Sequence, residues 1–251
     1  MHIGKTGGVS VETLLKDSFD KKLICPSYRP FEFIENKTRA GDYRIFIGHN
    51  PYYVSEILPR PLLIFTFLRN PLDRTLSTYK HFLRDTTHPN RKLFMDEANT
   101  LLGLIKHPRL GGNVNEPQTR FLGINIDFSS LIQKAYKEKR TGKRLMGIFA
   151  KVQKQQANDE IFSLAKQRLF KLPFIGITER FEESIGLLCK LLEIDLPEDI
   201  HHLNRAPKHQ SPNPKDLSAE ELEAIDQATY YDQQLYELGC RRLDKLIKMH
   251  S

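Results

Sequence analysis

Lys5, His49, Arg69 and Ser77 are the side chains of this sequence whose types and spacing suit them to hold an anion and to move a proton. Arg69 ends the run Leu62-Leu63-Ile64-Phe65-Thr66-Phe67-Leu68, and Pro71 follows two residues later. Such a run has the habit of a strand buried on both faces in a parallel sheet. A proline is tolerated in the first turn of a helix, where its missing N–H has no intrahelical partner to lose. Arg69 is therefore expected at the carboxyl end of a buried strand, the edge at which open α/β sheets bind ligands. Arg74 and Ser77 follow one turn apart on roughly one helix face. Two guanidinium groups and a hydroxyl make a cradle for a phosphate. The same residues also suit a core strand followed by a helix with solvated arginines, with Asp73 or Asp85 as surface partners of Arg74.

The chain opens His2-Ile3-Gly4-Lys5-Thr6-Gly7-Gly8-Val9-Ser10, and Val9, Val11, Leu14 and Leu15 then carry a helical apolar stripe. This reads as a strand end, a glycine-bearing turn and a helix N-terminus. Successive backbone N–H groups across Thr6, Gly7, Gly8, Val9 and Ser10 would bind an anion with help from the helix dipole, and Lys5 adds a mobile charge. The spacing is not that of a Walker A loop, because the lysine precedes the glycine pair.

Proton transfer needs a group that titrates near neutrality, and general-base help is worth roughly 10²–10⁴-fold. His49 directly follows Tyr43 to Gly48, which reads as a short strand, so it is expected at the same carboxyl edge. His81, one turn beyond Ser77, and Glu35 are the competing bases. His2 reads as structural.

The two anion-binding elements together resemble the two nucleotide signatures of sulfotransferases that use 3′-phosphoadenosine 5′-phosphosulfate (PAPS). The first is similar to Pro-Lys-Thr-Gly-Gly-Thr-Ser, with Gly4 for the proline and Val9 for a hydroxyl residue. The second is similar to Arg-Asp-Pro-x-x-Arg-x-x-Ser-x-Tyr from Arg69 to Tyr79, with Asn70 for the aspartate. Gly48-His49, Gln118 to Gly123 and Gly176 to Ser184 resemble segments of the branch containing carbohydrate sulfotransferases, including the heparan sulfate 2-O type. The resemblance implies metal-independent, in-line sulfuryl transfer from PAPS to a hydroxyl, most plausibly of a carbohydrate. It implies Lys5 beside the 5′-phosphosulfate, stabilising the leaving phosphate. Arg69 and Ser77 would hold the 3′-phosphate, and His49 would be the base. Asn204 to Lys208 lies where related enzymes have a basic loop over the nucleotide, which would add Arg205 and Lys208. Gln118, Thr119 and Arg120 either line the acceptor cleft or belong to a helix packed through Phe121 and Leu122.

Composition sets outer bounds. At 251 residues the chain can bury a substantial core and is most simply one domain, residues 1–251. A net charge of +7, from 38 basic and 31 acidic side chains, suits an anionic nucleotide or an acidic substrate. The same charge suits a noncatalytic anion or nucleic-acid binding module, and a P-loop-like kinase is the other alternative. Cys25, Cys189 and Cys240 lie far apart in no metal-ligand pattern, and so sparse and odd a count favours a reducing compartment. No stretch approaches the roughly 20 apolar residues of a membrane helix, so a soluble, cytoplasmic protein is expected unless the sequence is truncated. The order of elements is α/β and then mainly helical: a P-loop-like three-layer fold, with a short central parallel sheet flanked by helices. The spacing predicts a strand at Phe174 to Ile177, a helix from Glu179 to Leu192, a loop at His201 to Lys215, and two helices over Asp216 to Met249 broken near Tyr230.

Overall fold

The computed structural model describes residues 1–26, 40–57, 61–126, 155–198 and 214–250. Strands β1 (Phe65–Leu68) and β2 (Phe174–Ile177) pair in parallel, with Phe65 opposite Phe174 and Leu68 opposite Ile177. Apart from Thr66 both are apolar, and nearly all of their residues are buried, as in the central strands of a parallel sheet. The helices are α1 (Gly8–Ser18), α2 (Pro71–Arg84), α3 (Arg91–Glu97), α4 (Leu101–Lys106), α5 (Pro117–Gly123), α6 (Asp159–Lys171), α7 (Phe181–Leu192), α8 (Ala219–Ala228) and α9 (Tyr230–His250). The fold is mixed α/β, with a short parallel sheet among mostly helical elements.

Local chemistry starts these helices where it should. Asn70 accepts a hydrogen bond from the Asp73 amide ahead of α2, and Pro71 fills the first helical position. Asn158 caps α6 through the Ile161 amide, and Ser218 and Glu221 form a capping box on α8. One apolar cluster joins β1 and β2 to α1, α6, α7 and α9 through Leu14, Phe67, Leu169, Phe174, Ile185 and Leu243. A second lies under α2, α3, α4 and α8 around Phe82, Phe94, Leu104 and Ile225.

Three expectations are corrected. The buried strand is Phe65–Leu68 rather than all of Leu62 to Leu68, and Leu63 is more than half exposed. Residues Tyr43 to Gly48 form no ladder: Ile45 makes one parallel bridge to Ile24, and the Cys25 amide donates to the Ile45 carbonyl at 2.8 Å. The 3₁₀ turn Lys21–Leu23 bounds the pairing on the side before Ile24. The Glu179 helix begins instead as a 3₁₀ turn, Thr178–Arg180, before α7.

The first residues still lie as a strand would. The Met1 ammonium donates to the Phe65 carbonyl at 3.1 Å, Thr66 Oγ1 donates to the Met1 carbonyl at 2.9 Å, and the His2 amide donates to the Gly48 carbonyl at 2.8 Å. Residues 1–3 thus run between β1 and Gly48, and the chain after each emerges at one edge. Cys189 on α7 is buried and Cys240 on α9 half-buried, both as thiols. Among the described residues no helix is long and apolar enough to cross a membrane.

Candidate active site

The loop between residue 3 and α1 bends twice through the left-handed region, at Lys5 (φ 70°) and at Gly7 (φ 80°, ψ 10°). A glycine takes that conformation without strain; Lys5 does not, so the loop holds it there. Its carbonyls are tied down in turn. Thr6 Oγ1 donates to the Ile3 carbonyl at 2.9 Å, Arg69 Nη1 donates to the Lys5 carbonyl at 3.2 Å, and the Thr178 hydroxyl lies 3.0 Å from both the Thr6 and Leu68 carbonyls. Gly7 is the N-cap of α1, and its carbonyl receives the first helical bonds, from the Ser10 and Val11 amides. The Gly8 and Val9 amides precede that ladder, which is the arrangement that holds an anion at a helix N-terminus.

Gly8 is fixed by its neighbour. A Cβ there would stand 1.9 Å from the His2 ring, so the ring rests directly on the loop backbone. His2 in turn stacks on His49, with ring centroids 4.4 Å apart. His49 Nδ1 lies 2.9 Å from the His2 carbonyl, and a carbonyl can only accept, so Nδ1 carries the proton. That tautomer leaves Nε2 as the basic nitrogen. The ring flanks the loop itself, since a Cβ on Gly4 would meet His49 Cε1 at 3.9 Å. His2 stays neutral: burial first, then the neighbouring His49, amino terminus and Lys5, lower its pKa to about 3.

Arg69 follows β1 directly. Its guanidinium reaches the loop, and Glu179 Oε1 stands 3.8 Å from Nε, which has no hydrogen-bond partner. Lys5, half-buried, has its pKa lowered to about 8, by burial first and then by the charges of Arg84, Arg69 and Arg74. Cations gathered to that degree raise a positive potential that an anion would relieve. A family model described as the sulfotransferase family matches residues 1–238. The chain belongs to the sulfotransferase family. Its activity is accordingly of the sulfuryl-transfer class. No curated protein was found to match the chain.

The remaining expected site residues of this sulfotransferase fall differently. Ser77 lies on the half-buried flank of α2 and makes no side-chain hydrogen bond among the described residues. Arg74 is buried, gives both terminal nitrogens to the Asn113 carbonyl at 3.1 and 3.2 Å, and so pairs with neither Asp73 nor Asp85 at the surface. The helical turn puts Arg74 with Thr75, Thr78 and Phe82 on the inward face, away from the Ser77 flank. His81 sits near the far end of α2, with Asp85 Oδ2 3.6 Å from Nε2. Val9 is exposed, and Ser10 is buried on the inner face of α1. Arg205, Lys208 and the alternative base Glu35 lie outside the described residues. Among the described residues no three His, Cys, Asp or Glu side chains gather as metal ligands.

Gln118 and Thr119 are fully buried, and Arg120 Nη1 donates to the Gly112 and Asn115 carbonyls, so the acceptor-cleft reading of this trio gives way to a packing one. Thr178 and Glu179 belong to a segment the resemblance had marked, yet nothing in the sequence indicated that they would clasp the loop and Arg69. A cavity of about 230 Å³, walled by apolar residues such as Val11, Leu15, Ile45 and Phe65, lies behind the loop; Lys5, His49 and Arg69 are not among its lining.

Proposed function

We propose that this sulfotransferase moves a sulfuryl group from PAPS to a hydroxyl of a carbohydrate, on a P-loop-like scaffold formed as one domain. The observation that carries the reading is the 3.2 Å hydrogen bond between Arg69 Nη1 and the Lys5 carbonyl. It brings the loop that suits a 5′-phosphosulfate and the strand end that suits a 3′-phosphate within the span of one nucleotide. Arg69 Nε, which makes no hydrogen bond within the protein, fits such a ligand, as do the Gly8 and Val9 amides ahead of the first helical bonds of α1. The carbohydrate acceptor rests on the resemblance of Gly48-His49 and neighbouring segments to the 2-O type.

In this reading the amides of Thr6 to Val9 bind the phosphosulfate, while Arg69 and Ser77 bind the 3′-phosphate, with Arg205 and Lys208 as further cations. His49 Nε2 accepts the proton of the acceptor hydroxyl as its oxygen bonds to sulfur. The bond from sulfur to the nucleotide's bridging oxygen breaks, and the charge passes to the 5′-phosphate. Lys5 faces that charge as it grows and therefore stabilises the transition state more than the ground state.

Titration calorimetry with adenosine 3′,5′-bisphosphate, 5′-AMP and ATP–Mg²⁺ tests the donor assignment. Micromolar binding of the bisphosphate is expected, about 10–100-fold weaker for 5′-AMP and weakened about 10–100-fold by Arg69→Ala. A preference for ATP–Mg²⁺ would remove the reading. Transfer of labelled sulfate from PAPS to sulfate-free polysaccharides tests the acceptor, and His49→Ala should cost roughly 10²–10⁴-fold in rate.

A further inference from the structure

Arg69 projects from the point where β1 ends and α2 has not begun, so neither element's hydrogen bonds fix its backbone. Gln118 supplies what is missing. Its side chain, 0 % exposed, accepts from the Arg69 amide through Oε1 at 2.9 Å and donates from Nε2 to the Arg69 carbonyl at 2.9 Å. A primary amide satisfying both backbone groups of one residue acts as a neighbouring strand would, for a single residue.

Gln118 is itself held at its base. It lies in the first turn of α5, where Asp232 Oδ2 accepts from the Gln118 amide at 3.1 Å and Asp232 Oδ1 from the Thr119 amide at 2.7 Å. The exchange is returned at the start of α9, where Glu116 accepts from the Tyr231 amide at 2.8 Å and from the Asp232 amide at 2.7 Å. Two helix N-termini thus cap each other across buried carboxylates, and from that rigid junction Gln118 reaches the residue after β1. Next to it the Asn70 amide donates to Glu179 Oε1 at 3.0 Å. Both peptide groups leading into α2 are therefore set by side chains from distant segments.

We infer that Gln118 is the positioning residue that aims the Arg69 guanidinium at the nucleotide, and so sets selectivity for a 3′-phosphorylated donor. The inference rests on the proposed role of Arg69. A buried amide lost at this place leaves an amide and a carbonyl of Arg69 unpaired, and the strand end can turn to satisfy them elsewhere. A shift of about 1 Å at a positioning group is enough to spoil a bidentate contact.

The test is a double-mutant cycle on Gln118→Met and Arg69→Ala, read as the ratio of Kd for 5′-AMP to Kd for adenosine 3′,5′-bisphosphate. Methionine keeps length and volume and removes both hydrogen bonds. Gln118→Met should lower the ratio about tenfold, the equivalent of one hydrogen bond. In the Arg69→Ala background it should lower it no further, because the two act as one unit. A Gln118→Met effect that falls equally on both ligands, or that adds fully to Arg69→Ala, would overturn the inference and leave the Arg69 assignment standing. A ratio unmoved by Arg69→Ala alone would instead overturn the Arg69 assignment. Should Gln118→Met melt too low for calorimetry, Gln118→Asn, which keeps the amide but falls one methylene short, is measured in its place with the same expected loss.

Discussion

Arg69 and Lys5 share a backbone oxygen: the guanidinium of the first donates to the carbonyl of the second at 3.2 Å. The cation at the end of β1 is thereby also a strut for the loop that starts α1. Lysine at position 69 would keep the charge but could not reach the loop and a phosphate together, since it lacks the planar fork. Arg69→Lys should weaken bisphosphate binding about tenfold while leaving 5′-AMP within about threefold. Calorimetry on both ligands checks it, and equal losses would mean that the strut matters more than the phosphate contact.

Burial, and then the neighbouring arginines, lower the pKa of Lys5 to about 8. A bound dianion favours the charged ammonium and so raises that pKa. Affinity is then full below pH 8 and falls as pH rises through 8 toward the pKa of the complex, by at most about tenfold per pH unit. Calorimetry at pH 8.5 in buffers of differing ionisation enthalpy should show proton uptake on binding. Lys5→Arg should abolish both the uptake and the slope, since its guanidinium stays charged throughout.

The part of this site that is legible in sequence is the part built from local rules. The apolar run before Arg69, Pro71 at a helix start and the glycines before Val11 each express backbone chemistry within a few residues; the structure places Pro71 and the glycines as expected and keeps Phe65–Leu68 of the run as strand. The inward turn of Arg74 could not be read, because the partner that turns it, the Asn113 carbonyl, lies 39 residues away. The same holds for Gln118, which meets Arg69 across 49 residues, and for Thr178, which meets Thr6 across 172. The strand expected at Tyr43 to Gly48 reduces, among the described residues, to the single bridge from Ile45 to Ile24, because the local sequence does not reveal which segment runs alongside.

His49 depends on its neighbour His2, and His2 on the absence of a side chain at Gly8. Gly8→Ala would improve helix propensity by up to about 1 kcal/mol. Against that stands a Cβ placed 1.9 Å from the His2 ring, which must swing away and leave its stack on His49. Overpacking of this kind costs about 1–3 kcal/mol and should win. Gly8→Ala should therefore melt lower and lose at least about tenfold in sulfuryl transfer as the His49 ring loses its seat. Adding His2→Ala removes the clash and should return most of the melting temperature, because the backbone carbonyl that holds His49 Nδ1 survives the change.

The crossed caps of Glu116 and Asp232 give the fold a pH dependence of definite sign. Burial, then the charge of Asp232, pushes the Glu116 carboxyl up to about 8 from an ordinary 4.5; Asp232 is also pushed up by burial, against the pull of Arg74. A folded-state pKa raised in this way contributes stability that is complete below the unfolded value near 4.5 and is lost as pH rises through 8. Other groups oppose it: the Met1 amine, lowered by burial to about 6, and His2, lowered to about 3, each favour the folded state at higher pH. Those contributions are common to wild type and variant and cancel in a difference. Glu116→Gln gives up one of the two amide contacts at every pH but carries no charge to desolvate. Its melting temperature should lie below wild type at pH 5, and the deficit should shrink or reverse by pH 8.5. Thermal melts of the two proteins across that range decide it: a deficit that stays constant would show that the Glu116 carboxyl ionises normally and that the pair is held by Arg74 as two full charges.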